Sequence, residues 1–278
     1  MKYLLFINLL VANFIFAEYY DHPESQKIIK ELVEVYNFDA DYVEKVFMNA
    51  RKQQKIIDSI SKPAEFTWTW DRYKKLFIED KRIKNGKNFI QNNIETLEKA
   101  EAEFGVPKEI IVAIMGIETR YGRIMGNYRV IDSLTTLGFD YPRRSKFFKD
   151  ELIKYFLLTR ENNLDILTVK GSYAGAMGYG QFISSSYRAY AIDFDGDGYV
   201  DLFNSIEDSI GSVANYLKVH GWVRNGKIVT KSSLNNVREI YKPHVSLSKF
   251  IPLSFNENGE DIYFIGDDNF VAITKYNR

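Results

Sequence analysis

The chain has 278 residues, and 37 Lys and Arg balance 37 Asp and Glu, so that its formal net charge is zero. This balance leaves no overall field to attract nucleic acid, which we exclude as a partner. Apolar residues make up 45% and charged residues 27%, as in an ordinary globular protein. The absence of cysteine excludes disulfides, thiolate metal sites and a cysteine nucleophile.

The N-terminus has the pattern of a secretory leader. Lys2 precedes an apolar run over residues 3–16, and Ala17 precedes a polar stretch. A run of this length is short of the roughly 20 residues that span a bilayer. We therefore expect residues 1–17 to be a signal peptide and the protein to be periplasmic and soluble, with no cysteine to carry a lipid. A retained N-terminal anchor is the alternative.

The following elements are predicted to be mainly helical. Apolar periodicity indicates helices within residues 21–60, over 89–103, over 108–121 and over 206–220. Glu118 lies near the end of the helix from Lys108 to Tyr121. A further helix is expected after Ser145, which can act as its N-terminal cap. Gly105 is expected to end the helix over 89–103 and Pro107 to begin the helix over 108–121.

Beyond Trp222 the pattern changes from helical to extended. Residues 227–230 and 261–265 alternate in the way of short β-strands. We expect a mainly α protein with a helical domain over residues 18–95, a catalytic core over 96–225 and a small β-rich subdomain over 226–278.

Glu118 is the candidate catalytic acid. Its neighbours on the predicted helix are Ile114, Met115, Ile117 and Tyr121, and apolar surroundings raise the pKa of a carboxyl group. A neutral carboxylic acid can protonate a glycosidic oxygen. The alternative is a structural ion pair between Glu118 and Arg120 or Arg123.

A glycine-rich stretch over residues 170–181 can bring its backbone close to a bound polymer. Ser172 and Gln181 add polar groups, and Tyr173 and Tyr179 add ring faces for sugars. The stretch lacks the Gly-Lys-Ser/Thr ending of a phosphate loop. The three histidines lack zinc spacing, and no Gly-x-Ser-x-Gly elbow occurs.

An acidic loop follows the glycine-rich stretch and indicates a Ca²⁺ site. Asp193, Asp195 and Asp197 occupy loop positions one, three and five, and Tyr199 can offer its backbone carbonyl at position seven. Position twelve, usually Glu, is Asn204, so the last ligand must come from Glu207 or Asp208, of which we prefer Asp208. A solvated acidic turn without metal is the alternative.

Several motifs in the same order resemble the lytic murein transglycosylase B family (glycoside hydrolase family 103, of the lysozyme-like superfamily). They are residues 63–65, 69–73, 114–122, 132–137, 141–144 and 170–182, the acidic loop, and residues 212–216 and 220–222. The resemblance implies a lysozyme-like α-rich core with an N-terminal helical domain and a small β domain. It also implies cleavage, without water, of the β-1,4 bond between N-acetylmuramic acid and N-acetylglucosamine to form 1,6-anhydromuramoyl ends.

The resemblance also implies roles for particular residues. Glu118 matches the catalytic Glu, and the acidic loop matches a calcium loop. The matched substrate-binding residues are Ser172, Gln181, Arg143 and Arg144, to which we add Tyr179. The family's C-terminal Tyr-Asn pair matches Tyr276 and Asn277; a final helix follows it in the family, and we expect that helix to be missing here.

The implied partner is the peptidoglycan glycan strand, and no organic cofactor is expected. Cell-wall synthesis or division complexes are candidate protein partners, and we expect a monomer. A hydrolytic muramidase and a non-catalytic peptidoglycan-binding protein remain alternative functions, and the choice between cleavage within strands and at their ends stays open.

Overall fold

The computed structural model describes residues 19–61, 75–231, 252–257 and 260–266, together with residues 269 and 273. The predicted signal peptide and the Tyr276–Asn277 pair lie outside the described residues. Contacts divide the chain into two compact units, Met1–Lys52 and Gln53–Arg278. The predicted domain boundaries at residues 95 and 225 stay predictions. No helix in the described part of the chain is long and apolar enough to span a bilayer.

The described part of the first unit, residues 19–52, contains two helices, α1 (Pro23–Glu34) and α2 (Ala40–Asn49). Both begin with side-chain caps, because His22 Nδ1 accepts from the backbone N–H of Glu24 and Asp39 accepts from that of Tyr42. The helices pack together through apolar faces that bury Ile28, Ile29, Leu32, Val43, Val46 and Phe47. The helices predicted within residues 21–60 are thus confirmed.

The second unit contains the other described helices. They are α3 (Gln54–Ser61), α4 (Asp80–Asn92), α5 (Ile94–Phe104), α6 (Lys108–Thr119), α7 (Val130–Asp140), α8 (Ser145–Glu161), α9 (Ser184–Tyr190) and α10 (Ile206–Val219), with a 3-10 turn over Pro142–Arg144. Helix α8 is central, because it packs on both α7 and α9 and buries residues around most of its circumference. Helix α10 packs on α5 and α6, and α4 packs on α6. The predicted mainly α architecture is confirmed.

Two short antiparallel sheets complete the second unit. Strand β1 (Tyr128–Arg129) pairs with β2 (Lys170–Gly171), with Tyr128 opposite Gly171. Strands β3 (Val229–Lys231), β4 (Pro252–Glu257) and β5 (Glu260–Gly266) form a sheet in the order β3-β5-β4. This sheet confirms the small β element expected after Trp222.

Three helix boundaries differ from the prediction, the first being the end of α6, which falls at Thr119 rather than at Tyr121. The helix expected over residues 89–103 is two helices, broken at Asn93, whose side-chain amide donates to the carbonyl of Phe89 at 2.8 Å and so competes with the backbone. Ser145 is the first residue of α8 rather than its cap, because its hydroxyl donates to the carbonyl of Gly138. Gly105 ends α5 in the left-handed conformation, as predicted.

Helix α6 ends in a strained turn. Arg120, Tyr121 and Gly122 all have positive φ, of 52°, 62° and 81°. The turn swings the Tyr121 ring back between α4 and α6, where its hydroxyl donates to the carbonyl of Arg82 at 3.0 Å. A Cβ at Gly116 would lie 2.6 Å from that hydroxyl oxygen, so the ring requires glycine on α6.

We predict that Gly116→Ala destabilises the protein. Helix propensity alone favours alanine by about 1 kcal/mol, whereas overpacking against Tyr121 costs about 1–3 kcal/mol and should dominate. Urea unfolding measures the difference. Gly138→Ala is the matched control, because the nearest atom there belongs to the flexible Lys149 side chain. If Gly116→Ala is as stable as the wild type or more stable, the close packing of the Tyr121 ring on Gly116 is contradicted.

Candidate active site

A cavity of about 400 Å³ lies beside the end of α6. Glu118 lines it from α6, Arg144 and Phe147 from the start of α8, and Tyr216 from α10. The glycine-rich segment and the residues after it complete the wall with Ser172, Tyr173, Ala174, Ala176, Gly180, Gln181, Phe182, Ile183 and Ser186. Three predicted substrate residues therefore lie in one cavity with Glu118, namely Ser172, Gln181 and Arg144.

The carboxyl group of Glu118 is half-buried in the cavity wall and forms no ion pair with any described residue. It lies in the last turn of α6, whose other residues are mostly buried and apolar. Burial raises its pKa from the ordinary value of 4.5 to about 7. The carbonyl end of a helix also disfavours negative charge. A large fraction of Glu118 is therefore neutral near pH 7 and able to donate a proton.

The alternative of a structural Glu118–Arg120 pair is wrong. The Arg120 guanidinium turns away from the cavity and lies 2.7 Å from the carboxylate of Glu79. Among the described residues, no charged group perturbs Glu118, and burial is the cause of its raised pKa. Residues two positions apart on a helix do not face each other, so a pair between Glu118 and Arg120 is disfavoured by helix geometry as well.

The glycine-rich segment forms a compact turn against the first sheet. The backbone N–H of Ser172 donates to Ala176 at 2.8 Å, and Met177 and Phe182 form an isolated antiparallel bridge. Gly178 has a φ of 69° and lies so close to the carbonyl of Leu202 that a Cβ would collide with it. The segment is therefore a set of tight turns.

The turns present Ser172 and Gln181 with defined hydrogen-bonding groups. The Ser172 oxygen accepts from the N–H groups of Ala174 and Ala176, at 3.3 and 3.1 Å, so its proton is left to donate into the cavity. The Gln181 amide nitrogen donates to the carbonyls of Met125 and Gly178, at 3.2 and 3.1 Å, so its amide oxygen can accept. The cavity thus offers a donor and an acceptor for a sugar.

Two other predicted substrate residues, Arg143 and Tyr179, are not among the residues that line the cavity. Arg143 lines a shallow groove that shares Arg144 and Phe147 with the cavity, and the Arg144 guanidinium stacks 4.2 Å from the centre of the Phe147 ring. The Tyr179 ring packs on Gly122, where a Cβ would collide with it. Its predicted contact with substrate stays a prediction.

Sequence reasoning did not single out the cluster of aromatic rings around Tyr216, which lines the cavity. The Tyr216 ring lies edge-on to Phe182 at 5.8 Å, and His220 stacks on it at 3.9 Å. Tyr190 packs edge-on against both Tyr216 and His220. Tyr216 and His220 are four residues apart on α10, and this spacing predicts that their rings lie side by side. It does not predict that a cavity lies next to them.

The cavity contains one carboxyl group among its described lining residues, that of Glu118. Glycosidases that activate a water or form a glycosyl-enzyme use a second carboxylate across the bond. A site with one neutral acid can protonate a leaving oxygen, and the same group, once ionised, can accept a proton.

The acidic loop gathers three carboxylates on the surface away from this chemistry. Oxygens of Asp193, Asp195 and Asp197 lie within 4.8 Å of one another. Backbone N–H groups fold the loop around them, and Gly196 and Gly198 donate to Asp193 at 2.7 and 2.8 Å. These are hard oxygen ligands of the kind that Ca²⁺ prefers.

Asp208 lies behind the loop and outside that three-carboxylate group. It is buried, and its two oxygens accept from the N–H groups of Phe194 and Asp201, at 2.7 and 2.8 Å. Lys99 also holds the loop by donating to the carbonyl of Phe194 at 2.7 Å. Asp208 therefore fixes the loop backbone, and its predicted role as a metal ligand stays a prediction.

The raised pKa of Glu118 predicts a pH-dependent gain in stability for Glu118→Gln. The neutral acid is tolerated in the fold, so its contribution to stability is full below about pH 4.5 and is lost as the pH rises through about 7. Above pH 7 the glutamine variant should exceed the wild type by up to about 3 kcal/mol in free energy of unfolding. Urea unfolding at pH 4 and pH 8 measures this.

The exposed Glu109 of the same helix provides the control, Glu109→Gln, which should lack that pH-dependent gain. A Glu118→Gln variant that is no more stable than the wild type at pH 8 would contradict the burial of an ionisable acid.

The chain is similar to known cell-wall enzymes. A sequence profile described as "Transglycosylase SLT domain" matches residues 21–278. The chain is 36% identical over 290 residues to the membrane-bound lytic murein transglycosylase B of Escherichia coli (strain K12), an alignment that covers 94% of this chain and 80% of that protein.

Two solved structures agree with this match. Soluble lytic transglycosylase SltB1 from Pseudomonas aeruginosa has a TM-score of 0.86 at 42% identity, covering 92% of this chain and 93% of that chain. The Escherichia coli lytic transglycosylase Slt35 in complex with calcium has a TM-score of 0.82 at 36% identity, covering 92% and 88%. The mainly α, lysozyme-like fold predicted from the sequence is confirmed, and the chain belongs to the transglycosylase SLT domain family.

Proposed function

We propose that the chain is a peptidoglycan lytic transglycosylase with Glu118 as its catalytic acid. The observation that carries the proposal is one carboxyl group with a pKa of about 7 and no ion pair among the described residues, in a cavity whose described lining contains no second carboxyl. The matched family and relatives support the reaction class. The bond cleaved is the β-1,4 bond between N-acetylmuramic acid and N-acetylglucosamine.

In the first step Glu118 protonates the oxygen that leaves with N-acetylglucosamine. The bond from that oxygen to C1 of N-acetylmuramic acid breaks, and positive charge develops at C1. The substrate's own N-acetyl group can supply electrons to C1, since the described lining offers no second carboxylate for that role. Ser172 and Gln181 orient the sugar, and the Tyr216 ring offers an apolar surface for it.

In the second step the ionised Glu118 accepts the proton of the C6 hydroxyl of the same sugar. The C6 oxygen bonds to C1 and closes a 1,6-anhydro ring, which returns Glu118 to its neutral form. Atoms balance without water. A group whose pKa lies near 7 suits both steps, because neither protonation state is strongly favoured at neutral pH.

The substrate also bears on location. Peptidoglycan lies outside the cytoplasmic membrane, so we propose that the protein works in the periplasm. The leader pattern of residues 1–17 supports export. Arg143 and Arg144, beside the cavity, supply positive charge for acidic groups of the wall polymer.

We predict that Glu118→Gln folds and loses cleavage. Loss of a general acid and base lowers the rate by about 10²–10⁴-fold or more. Purified peptidoglycan is the substrate, with turbidity and mass spectrometry as readouts and Glu109→Gln as the matched control. Retained cleavage by Glu118→Gln would refute the assignment of the acid.

The products separate the alternatives. A lytic transglycosylase releases 1,6-anhydro ends, which are lighter by one water than the reducing ends from a hydrolytic muramidase. A wall-binding protein without activity would sediment with peptidoglycan and release no fragments.

We also propose that Asp193, Asp195, Asp197 and the carbonyl of Tyr199 hold a structural Ca²⁺. The clustered carboxylates support this, and so does the calcium in the related Slt35 structure. A bound ion would offset the repulsion between the acids. Asp208 is the proposed last ligand, since it already bonds to the N–H groups of the loop and can turn an oxygen toward an ion there.

We predict that Ca²⁺ raises the Tm of chelator-treated protein. Saturation at 100 times Kd stabilises by about 2.7 kcal/mol. Asp193→Asn and Asp208→Asn should lose this calcium-dependent increment, and Glu207→Gln should keep it. An unchanged Tm after calcium addition would contradict the site. If Glu207→Gln loses the calcium-dependent increment and Asp208→Asn keeps it, the last ligand is Glu207 rather than Asp208.

A further inference from the structure

The position of Glu118 depends on its backbone, because burial holds its carboxyl without a partner among the described residues. The residue that follows it, Thr119, is fully buried at the end of α6. The Thr119 side chain forms hydrogen bonds to other described residues, whereas the Glu118 carboxyl group forms none. Thr119 is therefore the side chain nearest in sequence that can fix where Glu118 points.

The Thr119 hydroxyl joins two parts of the chain. Its oxygen lies 2.9 Å from the carbonyl of Tyr179, to which it donates, and 3.2 Å from the carbonyl of Met115, a longer contact within its own helix. The same oxygen accepts from the backbone N–H of Gly122 at 2.9 Å. One hydroxyl thus ties α6, the turn after it and the glycine-rich segment.

The two parts of the chain that the Thr119 hydroxyl connects, α6 and the glycine-rich segment, both border the cavity. On one side Glu118 precedes Thr119, and on the other Gly180 and Gln181 directly follow Tyr179. Gln181 has a positive φ of 53° and bonds back to Gly178, so its segment is a tight turn whose place follows that of the Tyr179 backbone. A shift between Tyr179 and Thr119 would change the distance between the acid and the polar wall.

The Tyr179 ring also packs on Gly122, an apolar contact that does not involve the Thr119 hydroxyl. Two other side chains of the strained turn make polar contacts elsewhere. Arg120 pairs with Glu79, and the Tyr121 hydroxyl donates to the carbonyl of Arg82. These contacts tie the turn to the region of α4, whereas the Thr119 hydroxyl ties it to the glycine-rich segment. The two sets of contacts therefore have separable effects.

We infer that Thr119 is a positioning residue for the reaction, whose hydroxyl sets the separation between Glu118 and the Ser172–Gln181 wall and keeps water from entering between α6 and that wall. The inference rests on the proposed function, since it assigns a role relative to the same acid. Thr119 contacts no substrate, and it acts through the backbone on each side of the cavity.

The test compares Thr119→Val, which keeps the shape and removes the hydroxyl, with Thr119→Ser, which keeps the hydroxyl. For Thr119→Val on soluble glycan oligomers, we expect kcat to fall about 10- to 100-fold, as for a slight misplacement of a catalytic group, with KM changed far less. Thr119→Ser should restore most of kcat.

The pH profile provides a readout that lost stability alone would not move. Water admitted beside Glu118 lessens its desolvation, so its pKa falls from about 7 toward 4.5. The alkaline limb of the kcat profile in Thr119→Val should therefore move to lower pH, by about one unit for a tenfold change in ionisation. Thr119→Ser should keep the wild-type limb.

Thr159→Val is the matched control. Thr159 is equally buried, but its hydroxyl donates to the carbonyls of Tyr155 and Phe156 within its own helix. It should keep the wild-type kcat and pH profile. If Thr119→Val does not fold, Thr119→Cys replaces it, since a thiol is a weaker donor of similar size and should shift both quantities in the same direction.

The inference is overturned if Thr119→Val keeps the wild-type kcat and its alkaline limb does not move. The same holds for Thr119→Cys if valine is not tolerated. An equal loss in Thr159→Val would also overturn the inference. In each case the wild type still releases anhydro products, so the proposed function stands. A wild type without transglycosylase products would overturn the proposed function itself, which keeps the two failures distinct.

Discussion

The site depends on the burial of the Glu118 carboxyl group at the end of an apolar helix. In water this group would be ionised at neutral pH and could not protonate a sugar oxygen. Burial disfavours its charge and brings its pKa to about 7. A cation paired with this carboxyl group would reverse that effect. Arg120 pairs with Glu79 instead, and no charged group among the described residues shifts the pKa of Glu118, although Arg144 lines the same cavity. The described residues around α6 thus leave this acid half-buried and without an ion pair.

This arrangement requires a backbone that ordinary helices do not have. Three consecutive residues after α6 have positive φ, and for Arg120 and Tyr121 that conformation is uncommon. Tyr121, lodged against Gly116 and Gly86, and the hydroxyl of Thr119 hold the turn on its two sides. The strain is thus compensated by packing and hydrogen bonds.

Sequence patterns predicted the helices whose apolar residues follow a clear period, such as α6 and α10, and the clustered Asp193, Asp195 and Asp197. They did not predict α7, since that helix is buried on almost all sides and shows no polar face. The break at Asn93 depends on one side-chain hydrogen bond, which a period does not reveal. Such features arise from local competition between side chain and backbone.

In the candidate site, too, some residues could be predicted from the sequence and others could not. Motif resemblance brought together Glu118, Ser172, Gln181 and Arg144, and these residues line one cavity. Tyr179 had the right residue type but packs on Gly122, because the turn at Gly178 sends its ring away from the cavity lining. Tyr216 borders the cavity through long-range packing of α10, which neighbouring residues in the sequence do not encode.

Glu118 is a largely neutral acid near pH 7 because desolvation raises its pKa and no charged group among the described residues lowers it. The direct measurement is an NMR titration of protein with ¹³C-labelled glutamate carboxyl groups, in which the resonance missing from Glu118→Gln identifies Glu118. The account predicts that this resonance titrates with a midpoint near 7. A midpoint near the ordinary value of 4.5 would contradict it.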